Sequence, residues 1–263
     1  MTSITQGMGA QYADSSRLAA RARIHQFGHA PVPWFPWVAG HLQVGPGVRI
    51  LDVGCGPAWF WPQAIEVIAP GAALTLFDQS QGMVDEALER CRDLPLASVE
   101  GCRGDAEALP FPDASFDAVI AMHMLYHVPD QAKAIAEFHR VLKPGGCCLV
   151  TTNDVDDMLE LYRMTAVFGS DPVNPAGAAF GFERGETLML EQFGNVVLHV
   201  HPQTMRVTDP DVVYLALTSY PPGDSAPPDQ QAAFREAIDA AFTAGGGGID
   251  VTRRVGVLVS LKP

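Results

Sequence analysis

The sequence predicts an α/β protein in which helices cover both faces of a parallel sheet. Short apolar runs of strand length alternate with amphipathic stretches of helical length through the middle of the chain. Strand, crossover helix and strand form the βαβ unit, whose right-handed repetition builds such a sheet. The 263 residues are 48% hydrophobic, which suffices for a sizeable core and excludes a disordered or collagen-like chain.

The individual elements follow from these runs and from the turn residues that separate them. The first four strands are predicted at 48–53, 73–77, 116–122 and 147–152. The helices between them are predicted at 59–68, 81–92 and 130–141. An N-terminal helix that ends near Arg23 precedes the first strand, and a helix over 155–168 follows the fourth. A hairpin-like pair of strands at 196–200 and 255–261 completes the sheet.

The charge and the cysteines of the chain indicate which kinds of partner and which compartment to expect. The chain has 17 Lys+Arg against 30 Asp+Glu and a net charge of −13, which repels phosphate backbones and anionic lipid. It shows no apolar block typical of a signal peptide or a membrane span. The five cysteines lack a C-x-x-C spacing, which favours a reducing compartment. We expect a cytoplasmic protein that binds small molecules, without nucleic acid or membrane partners.

The loop after the first strand is the most informative segment. Gly54 and Gly56 follow the strand Ile50-Leu51-Asp52-Val53 and let the backbone turn sharply and approach a ligand, with Asp52 beside the turn. A dinucleotide-binding loop would have a third glycine where Trp59 stands. An NAD(P)-dependent oxidoreductase is therefore a weaker alternative.

This segment resembles motif I of the class I S-adenosylmethionine-dependent methyltransferases, hydrophobic-Asp-x-Gly-Cys-Gly-x-Gly, with Ala58 where the family usually has glycine. Further matches follow in the family's order, including Leu142-Lys143-Pro144-Gly145-Gly146, and the resemblance extends from about Val48 to Thr152. It is closest to the small-molecule group of ubiquinone and sterol methyltransferases. The resemblance implies a Rossmann-like, seven-stranded, mostly parallel sheet with helices on both faces and an antiparallel C-terminal strand.

The resemblance also implies S-adenosylmethionine as the cofactor and assigns residues to it. Asp78, at the tip of the second strand, would accept hydrogen bonds from the ribose hydroxyls, although a helix N-cap is a second interpretation. Asp105 and the Ala106 amide would recognise adenine. The other candidate cofactor residues are Tyr12, Asp52, Gly54, Gly56, Gln79, Met83 and Met122.

Three candidate catalytic residues follow the strand predicted at 116–122. Methyl transfer depends mainly on positioning, and a general base is needed only if the acceptor must lose a proton. His123 is the first candidate for a base or an acceptor-positioning group, and Tyr126 and His127 come next. For His127 a structural role is an equal alternative.

Other clusters admit two interpretations. The four tryptophans of the chain lie close together in the sequence with Phe35 and Phe60; they are Trp34, Trp37, Trp59 and Trp61. They either form an apolar wall over the cofactor and the acceptor or pack in the protein core. His199 and His201 alternate along a strand and face one side. A metal could use them or the acids Asp154, Asp156 and Asp157, but we expect partly buried histidines, solvated loop acids and no metal. We expect Arg253 and Arg254 at the surface or a strand edge.

The sequence thus predicts a methyltransferase (EC 2.1.1.-) that transfers the methyl group by direct SN2 displacement. Its acceptor would be a small, aromatic or partly apolar metabolite of secondary metabolism. The alternative is a relative that binds the same cofactor but catalyses another reaction or serves as a scaffold. We expect one domain over 1–263, with a helical lid at 1–46, a cofactor-binding core at 47–153 and a C-terminal, acceptor-binding part at 154–263. A homodimer is left open.

Overall fold

The computed structural model describes residues 15–42, 44–68 and 70–263. Tyr12, a predicted cofactor residue, lies outside the described residues. By internal contacts the chain forms two compact units, each built from separate stretches of sequence. The sheet unit comprises 32–152, 180–201 and 256–263, and the accessory unit comprises 153–179, 202–255 and the described part of 1–31. The single domain with three parts stays a prediction.

Ten strands are present in the described residues. They are β1 (Gly28–His29), β2 (Arg49–Val53), β3 (Ala73–Asp78), β4 (Ser98–Arg103), β5 (Phe116–Met122), β6 (Leu142–Asn153), β7 (Val197–Val200), β8 (Thr204–Val207), β9 (Ile249–Val251) and β10 (Val255–Leu261). Seven of them form one sheet in the order β4-β3-β2-β5-β6-β10-β7, and β1, β8 and β9 form a small second sheet.

The same part of the chain contains ten α-helices. They are α1 (Ser16–Ala22), α2 (Trp34–Ala39), α3 (Trp61–Ala64), α4 (Gln81–Cys91), α5 (Gln131–Val141), α6 (Leu159–Tyr162), α7 (Pro175–Phe180), α8 (Phe182–Phe193), α9 (Pro210–Leu217) and α10 (Pro228–Ala244). Asp130 caps α5, because its side chain accepts a hydrogen bond from the backbone N–H of Lys133. Within the residues described, no helix is long and apolar enough to cross a bilayer.

The seven-stranded sheet confirms the predicted fold class. β2 pairs in parallel with β3 and β5, and β3–β4 and β5–β6 are parallel as well. β10 pairs antiparallel with β7, which confirms the predicted pair of terminal strands. β10 also runs opposite to β6, since the N–H of Gly145 donates to the carbonyl of Lys262 at one end and that of Asp154 to the carbonyl of Arg254 at the other. The carboxyl ends of β2, β3, β5, β6 and β7 therefore share one edge of the sheet.

Both faces of this sheet are buried. Ile50, Leu74 and Ile120 belong to one hydrophobic cluster, whereas Leu51 and Val119 belong to another. Successive strand residues point to opposite faces, so neighbouring positions enter different clusters. Burial of each such side chain contributes about 1.5–3 kcal/mol relative to exposure. This packing holds the strand ends, and hence the loops that follow them, in fixed positions.

Several elements differ from the prediction. The predicted helix over 155–168 is wrong: Met158 adopts a left-handed conformation (φ 55°), and only α6 and a 3-10 turn at Arg163–Phe168 follow it. The helix expected over 59–68 is reduced to α3. β6 starts at Leu142 rather than at the predicted residue 147, and its register with β5 shifts between Phe116 and Ala118. β4 and the small sheet were not predicted.

Candidate active site at the carboxyl edge of the sheet

The loop after β2 turns through two left-handed glycines. Gly54 has φ 67° and Gly56 has φ 51°, conformations that only glycine adopts without strain. The N–H of Gly54 donates to the carbonyl of Phe77 over 2.7 Å, which ties the loop to β3. A Cβ at Gly54 would lie 2.6 Å from the Cβ of Met124, so this position also has no room for a side chain. Met124, which the sequence analysis did not single out, therefore links the loop after β5 to the loop after β2.

Ala58 follows the same left-handed path as the two glycines. Its φ is 56°, and its N–H donates to the carbonyl of Cys55 over 3.0 Å. The side chain is 1% exposed and belongs to a core cluster. The left-handed conformation costs an alanine about 1–2 kcal/mol, and burial of its methyl group offsets about 0.8 kcal/mol of that cost. The loop thus turns at this position without glycine.

Asp78 joins the glycine loop to the start of α4. Its Oδ2 accepts from the N–H of Gly56 (3.0 Å), and its Oδ1 accepts from the N–H of Ser80 (2.8 Å). Burial raises the pKa of this carboxyl group, and the backbone N–H donors counteract the rise. Ser80, not Asp78, is the N-cap of α4, because its hydroxyl accepts from the N–H of Met83. The backbone N–H groups of Gly56, Gln79 and Ser80 bond this carboxylate, which has about four lone-pair sites, so the half-buried Asp78 keeps some acceptor capacity for a diol.

Asp52 lies beneath the same loop and is 2% exposed. Its Oδ2 accepts a hydrogen bond from the indole Nε1 of Trp61 over 2.7 Å. Its Oδ1 is buried and has no hydrogen-bond partner among the residues that the structure describes. Burial raises the pKa of Asp52 to about 7, the Trp61 bond lowers it, and the charge of Asp78 raises it further. Trp61 therefore anchors this acid and is not part of an exposed wall.

The remaining predicted cofactor residues follow β3 and β4 or end β5. The N–H of Gly104 donates to the Asp78 carbonyl over 3.0 Å, which brings the following Asp105 and Ala106 next to the tip of β3. Asp105 is exposed and accepts from the N–H of Glu107, and Ala106 is buried. Gln79 is exposed, Met83 is buried in α4 and Met122 is half-buried at the end of β5. Their contacts with a cofactor stay predictions.

The three candidate catalytic residues follow β5 as predicted, with His123 in a strained conformation. Its φ is 50°, and its N–H donates to the carbonyl (3.2 Å) and the hydroxyl (3.1 Å) of Thr151. Such strain is held by the surrounding structure and is typical of functional sites. Its ring lies 5.7 Å from that of Trp34, whereas the rings of Tyr126 and His127 pack on each other at 4.5 Å. His123 immediately precedes Met124, which packs on Gly54, so it stands beside the glycine loop.

The two histidines near β7 pack against aromatic rings. His199 stacks on His41 at 4.3 Å, and His201 lies 4.8 Å from Trp37. Both face the segment at 34–41, as their alternation predicts. Within the described residues, no group of three or more His, Cys, Asp or Glu side chains is arranged to hold a metal ion.

In the accessory unit, two expectations from the sequence are wrong. Asp157 is fully buried rather than solvated, and its Oδ1 accepts from the guanidinium of Arg253 over 3.0 Å. The Arg253 side chain is only 4% exposed, so it does not lie at the surface. Asn174 also donates to Asp157, and Arg254 pairs with Asp154. A buried charge is stable only with such partners, which makes this cluster structural.

The sheet-edge residues fit S-adenosylmethionine. No atom of the described residues lies within 4 Å of where a Cβ of Gly56 would stand, Asp78 retains acceptor capacity at the strand tip, and Asp52 holds a buried oxygen without a partner in the described residues. Hydroxyl and ammonium groups are the donors that such carboxylates bind.

Comparisons with known proteins agree with this geometry. The family model described as "Methyltransferase domain" matches residues 51–150. The demethylmenaquinone methyltransferase of Listeria welshimeri serovar 6b is 37% identical over 123 residues, which are 46% of this chain and 52% of that protein. The chain therefore spans about half the length of this curated relative.

Solved structures share the fold. The 4+2 cyclase SpnF superposes with a TM-score of 0.58 at 21% identity, covering 98% of this chain and 97% of that one. Phosphoethanolamine N-methyltransferase 2 of Haemonchus contortus, solved with phosphomonomethylethanolamine and S-adenosylhomocysteine, gives a TM-score of 0.57 at 19% identity and covers 100% of this chain and 61% of that one. Residues 51–150 are therefore similar to a methyltransferase domain, within a fold that solved methyltransferases share.

Proposed function

We propose that the protein transfers a methyl group from S-adenosylmethionine to a small, aromatic or partly apolar metabolite. The hydrogen bond between Gly56 and Asp78 is the observation that carries this proposal, because it joins the open glycine loop to a carboxylate with unused acceptor capacity. Bound S-adenosylmethionine supplies a methyl group on a positively charged sulfur, already activated for displacement.

Each residue at the sheet edge has a proposed role in binding. Asp78 binds the ribose hydroxyls, and Gln79 and Met83 flank the adenosine. Asp105 and the Ala106 amide bind adenine, while Asp52, Gly54 and Gly56 bind the amino-acid end, beside Met122. These roles are supported by the order of the residues along the strand ends and by the contacts of Asp78 with Gly56 and of its carbonyl with Gly104.

His123 is the proposed acceptor-binding base. Its imidazole can take the proton of an acceptor hydroxyl while the oxygen lone pair forms the new bond to carbon and the old carbon–sulfur pair remains on sulfur. Tyr126 and His127 are the next candidates. Positioning of the acceptor contributes most of the rate, since the methyl donor needs no covalent help from the protein.

The cytoplasmic location and the role in secondary metabolism belong to the same proposal, as does the exclusion of nucleic acid as a partner. They rest on the acidic composition and on the resemblance of the core. A homodimer stays a prediction.

Two measurements test the proposal. Calorimetry should detect binding of S-adenosylhomocysteine to the wild-type chain but no tight binding of NAD(P)H. Mass spectrometry of a panel of metabolites, incubated with enzyme and S-adenosylmethionine, should show products that have gained one methyl group. Failure to bind S-adenosylhomocysteine would refute the cofactor assignment. Binding without any methylated product would favour the alternative, a cofactor-binding protein with another reaction such as the cyclisation that the name of SpnF describes.

A further inference from the structure

A continuous row of rings leads from β7 to His123 within the sheet unit. We call it the aromatic row; its members are Trp34, Trp37, His41, His123, His199 and His201. Trp34 and Trp37 lie three residues apart in α2 and stack with ring centroids 5.6 Å apart and an interplanar angle of 23°. His41, four residues after Trp37, packs edge-on against it at 4.5 Å. The spacing places all three side chains on one side of this segment.

His201 holds the two indoles from the sheet side. Its ring lies 5.3 Å from that of Trp34 and 4.8 Å from that of Trp37. Its Nε2–H donates to the carbonyl of Val32 over 2.9 Å, and because a carbonyl only accepts, this bond also fixes the protonated nitrogen. The residue is 3% exposed. An imidazole that is buried and bonded in this way restrains the orientation of both indoles.

The other end of the row reaches the proposed reaction centre. Trp34 and His123 contact each other, and both are half-buried. Trp34, Cys55 and Met122 pack against the same hydrophobic cluster. A rigid indole face next to an imidazole offers a flat apolar surface with a hydrogen-bonding group at its edge.

We propose that Trp34 is the platform on which a planar hydroxyaromatic acceptor stacks, with its hydroxyl group directed to the imidazole of His123 and His201 as the positioning residue. The inference rests on the proposed methyl transfer and narrows its acceptor to flat aromatic rings that carry a hydroxyl group. A saturated ring of the same size loses the face-to-face contact. The platform therefore discriminates by planarity as well as by polarity.

The test uses 1-naphthol and its saturated analogue decahydro-1-naphthol, titrated by calorimetry into the full chain with and without S-adenosylhomocysteine. Wild-type protein is expected to bind 1-naphthol about two- to tenfold more tightly than decahydro-1-naphthol, which is the range that one aromatic pair contributes. Trp34→Leu should remove this preference, Trp34→Phe should keep most of it, and His201→Gln should weaken it without changing S-adenosylhomocysteine binding. Phe35→Leu is the matched control, since Phe35 lies in the same helix but packs on Phe60.

The two proposals fail in different ways. If the wild-type protein does not bind S-adenosylhomocysteine, the proposed function is contradicted. The titration of 1-naphthol in the absence of S-adenosylhomocysteine still tests whether Trp34 binds planar rings. Equal affinity for the flat and saturated rings, absence of 1-naphthol binding, or an unchanged preference in Trp34→Leu overturns the platform. Retained binding of S-adenosylhomocysteine by Trp34→Leu and Trp34→Phe shows that both variants fold.

Discussion

The backbone N–H of Gly56 donates to Oδ2 of Asp78 over 3.0 Å and thereby couples the loop after β2 to the end of β3. Movement of either loop breaks this bond, so the two must keep their relative positions. The remaining acceptor sites of Asp78 are consequently held at a constant distance from the glycine backbone. Preorganisation of this kind reduces the ordering that a ligand must impose on binding.

Asp78→Asn should weaken the binding of S-adenosylhomocysteine by roughly 10- to 100-fold. The variant keeps one oxygen for the Gly56 N–H but loses the charge that strengthens hydroxyl hydrogen bonds, which contribute about 1.5–3 kcal/mol. Calorimetry measures the affinity. Asp85→Asn, at an exposed position of α4, is the control and should bind as the wild type does. Wild-type affinity in Asp78→Asn would remove this acid from the cofactor site.

Protonation of Asp52 should make the stability of the cofactor-free protein depend on pH. The pKa of Asp52 rises from 3.8 to about 7 in the folded chain, so its stabilising contribution is complete below pH 3.8 and is lost as the pH rises through 7. The full change is on the order of 4 kcal/mol. Urea unfolding at pH 5 to 8 should show this loss in the wild type. Asp52→Asn keeps an acceptor for Trp61 and should flatten this part of the profile; an unaltered profile would contradict the assignment.

Alanine should be tolerated less well at Gly54 than at Gly56. Both positions are left-handed, so each variant carries about 1–2 kcal/mol of backbone strain. At Gly54 the new Cβ also meets Met124 at 2.6 Å, whereas at Gly56 it meets no atom of the described residues within 4 Å. Free energies of unfolding from urea titrations should therefore rank wild type, Gly56→Ala and Gly54→Ala in descending order. Equal destabilisation by the two variants would show that Met124 does not restrict the loop.

Removal of the buried acid of the accessory unit should destabilise the protein strongly. Asp157→Ala leaves the buried guanidinium of Arg253 without its carboxylate, at a cost of about 3–5 kcal/mol. The Asp250 side chain, which pairs with Arg206, is 80% exposed. Asp250→Ala should therefore lower the free energy of unfolding by only about 1 kcal/mol or less. Thermal and urea unfolding measure both. Similar losses in the two variants would contradict the role assigned to burial.

His123→Asn should reduce methyl transfer to hydroxyl acceptors by about 100- to 10,000-fold, which is the usual contribution of a general base. Asparagine tolerates the left-handed backbone at this position, so the strand end should keep its shape. Binding of S-adenosylhomocysteine should not change, and His139→Asn, which alters a histidine packed on Phe193, serves as the control. Undiminished transfer by His123→Asn would leave Tyr126 and His127 as the remaining candidates.

Local sequence signals predicted the elements that bury an uninterrupted apolar run. Residues 116–122 and 255–261 form strands with the predicted bounds, because each run is bounded by turn residues and buried. β4 has no such run: it is an edge strand of exposed and half-buried residues, and Gly101 is required by the close approach of Val84 and Leu88. Its pairing with β3 depends on tertiary structure.

In the candidate site, too, some residues could be assigned from the sequence, whereas the long-range contacts could not. Gly54, Gly56 and Asp78 could be assigned from the sequence, because each stands at the end of a recognisable strand. The contacts of Met124 with Gly54 and of Arg253 with Asp157 could not, because they join residues about 70 and 96 positions apart in the chain. The left-handed backbone at Met158, which delays the start of the helix predicted over 155–168 to Leu159, carries no compositional signal either.

Ala58 shows that conformation, rather than residue type, is what this bend requires. A glycine-based pattern treats the position as a mismatch, although its φ of 56° matches those of the two glycines before it. A pattern that strictly requires glycine at this position will therefore reject chains of this kind, whereas a comparison of torsion angles will retain them.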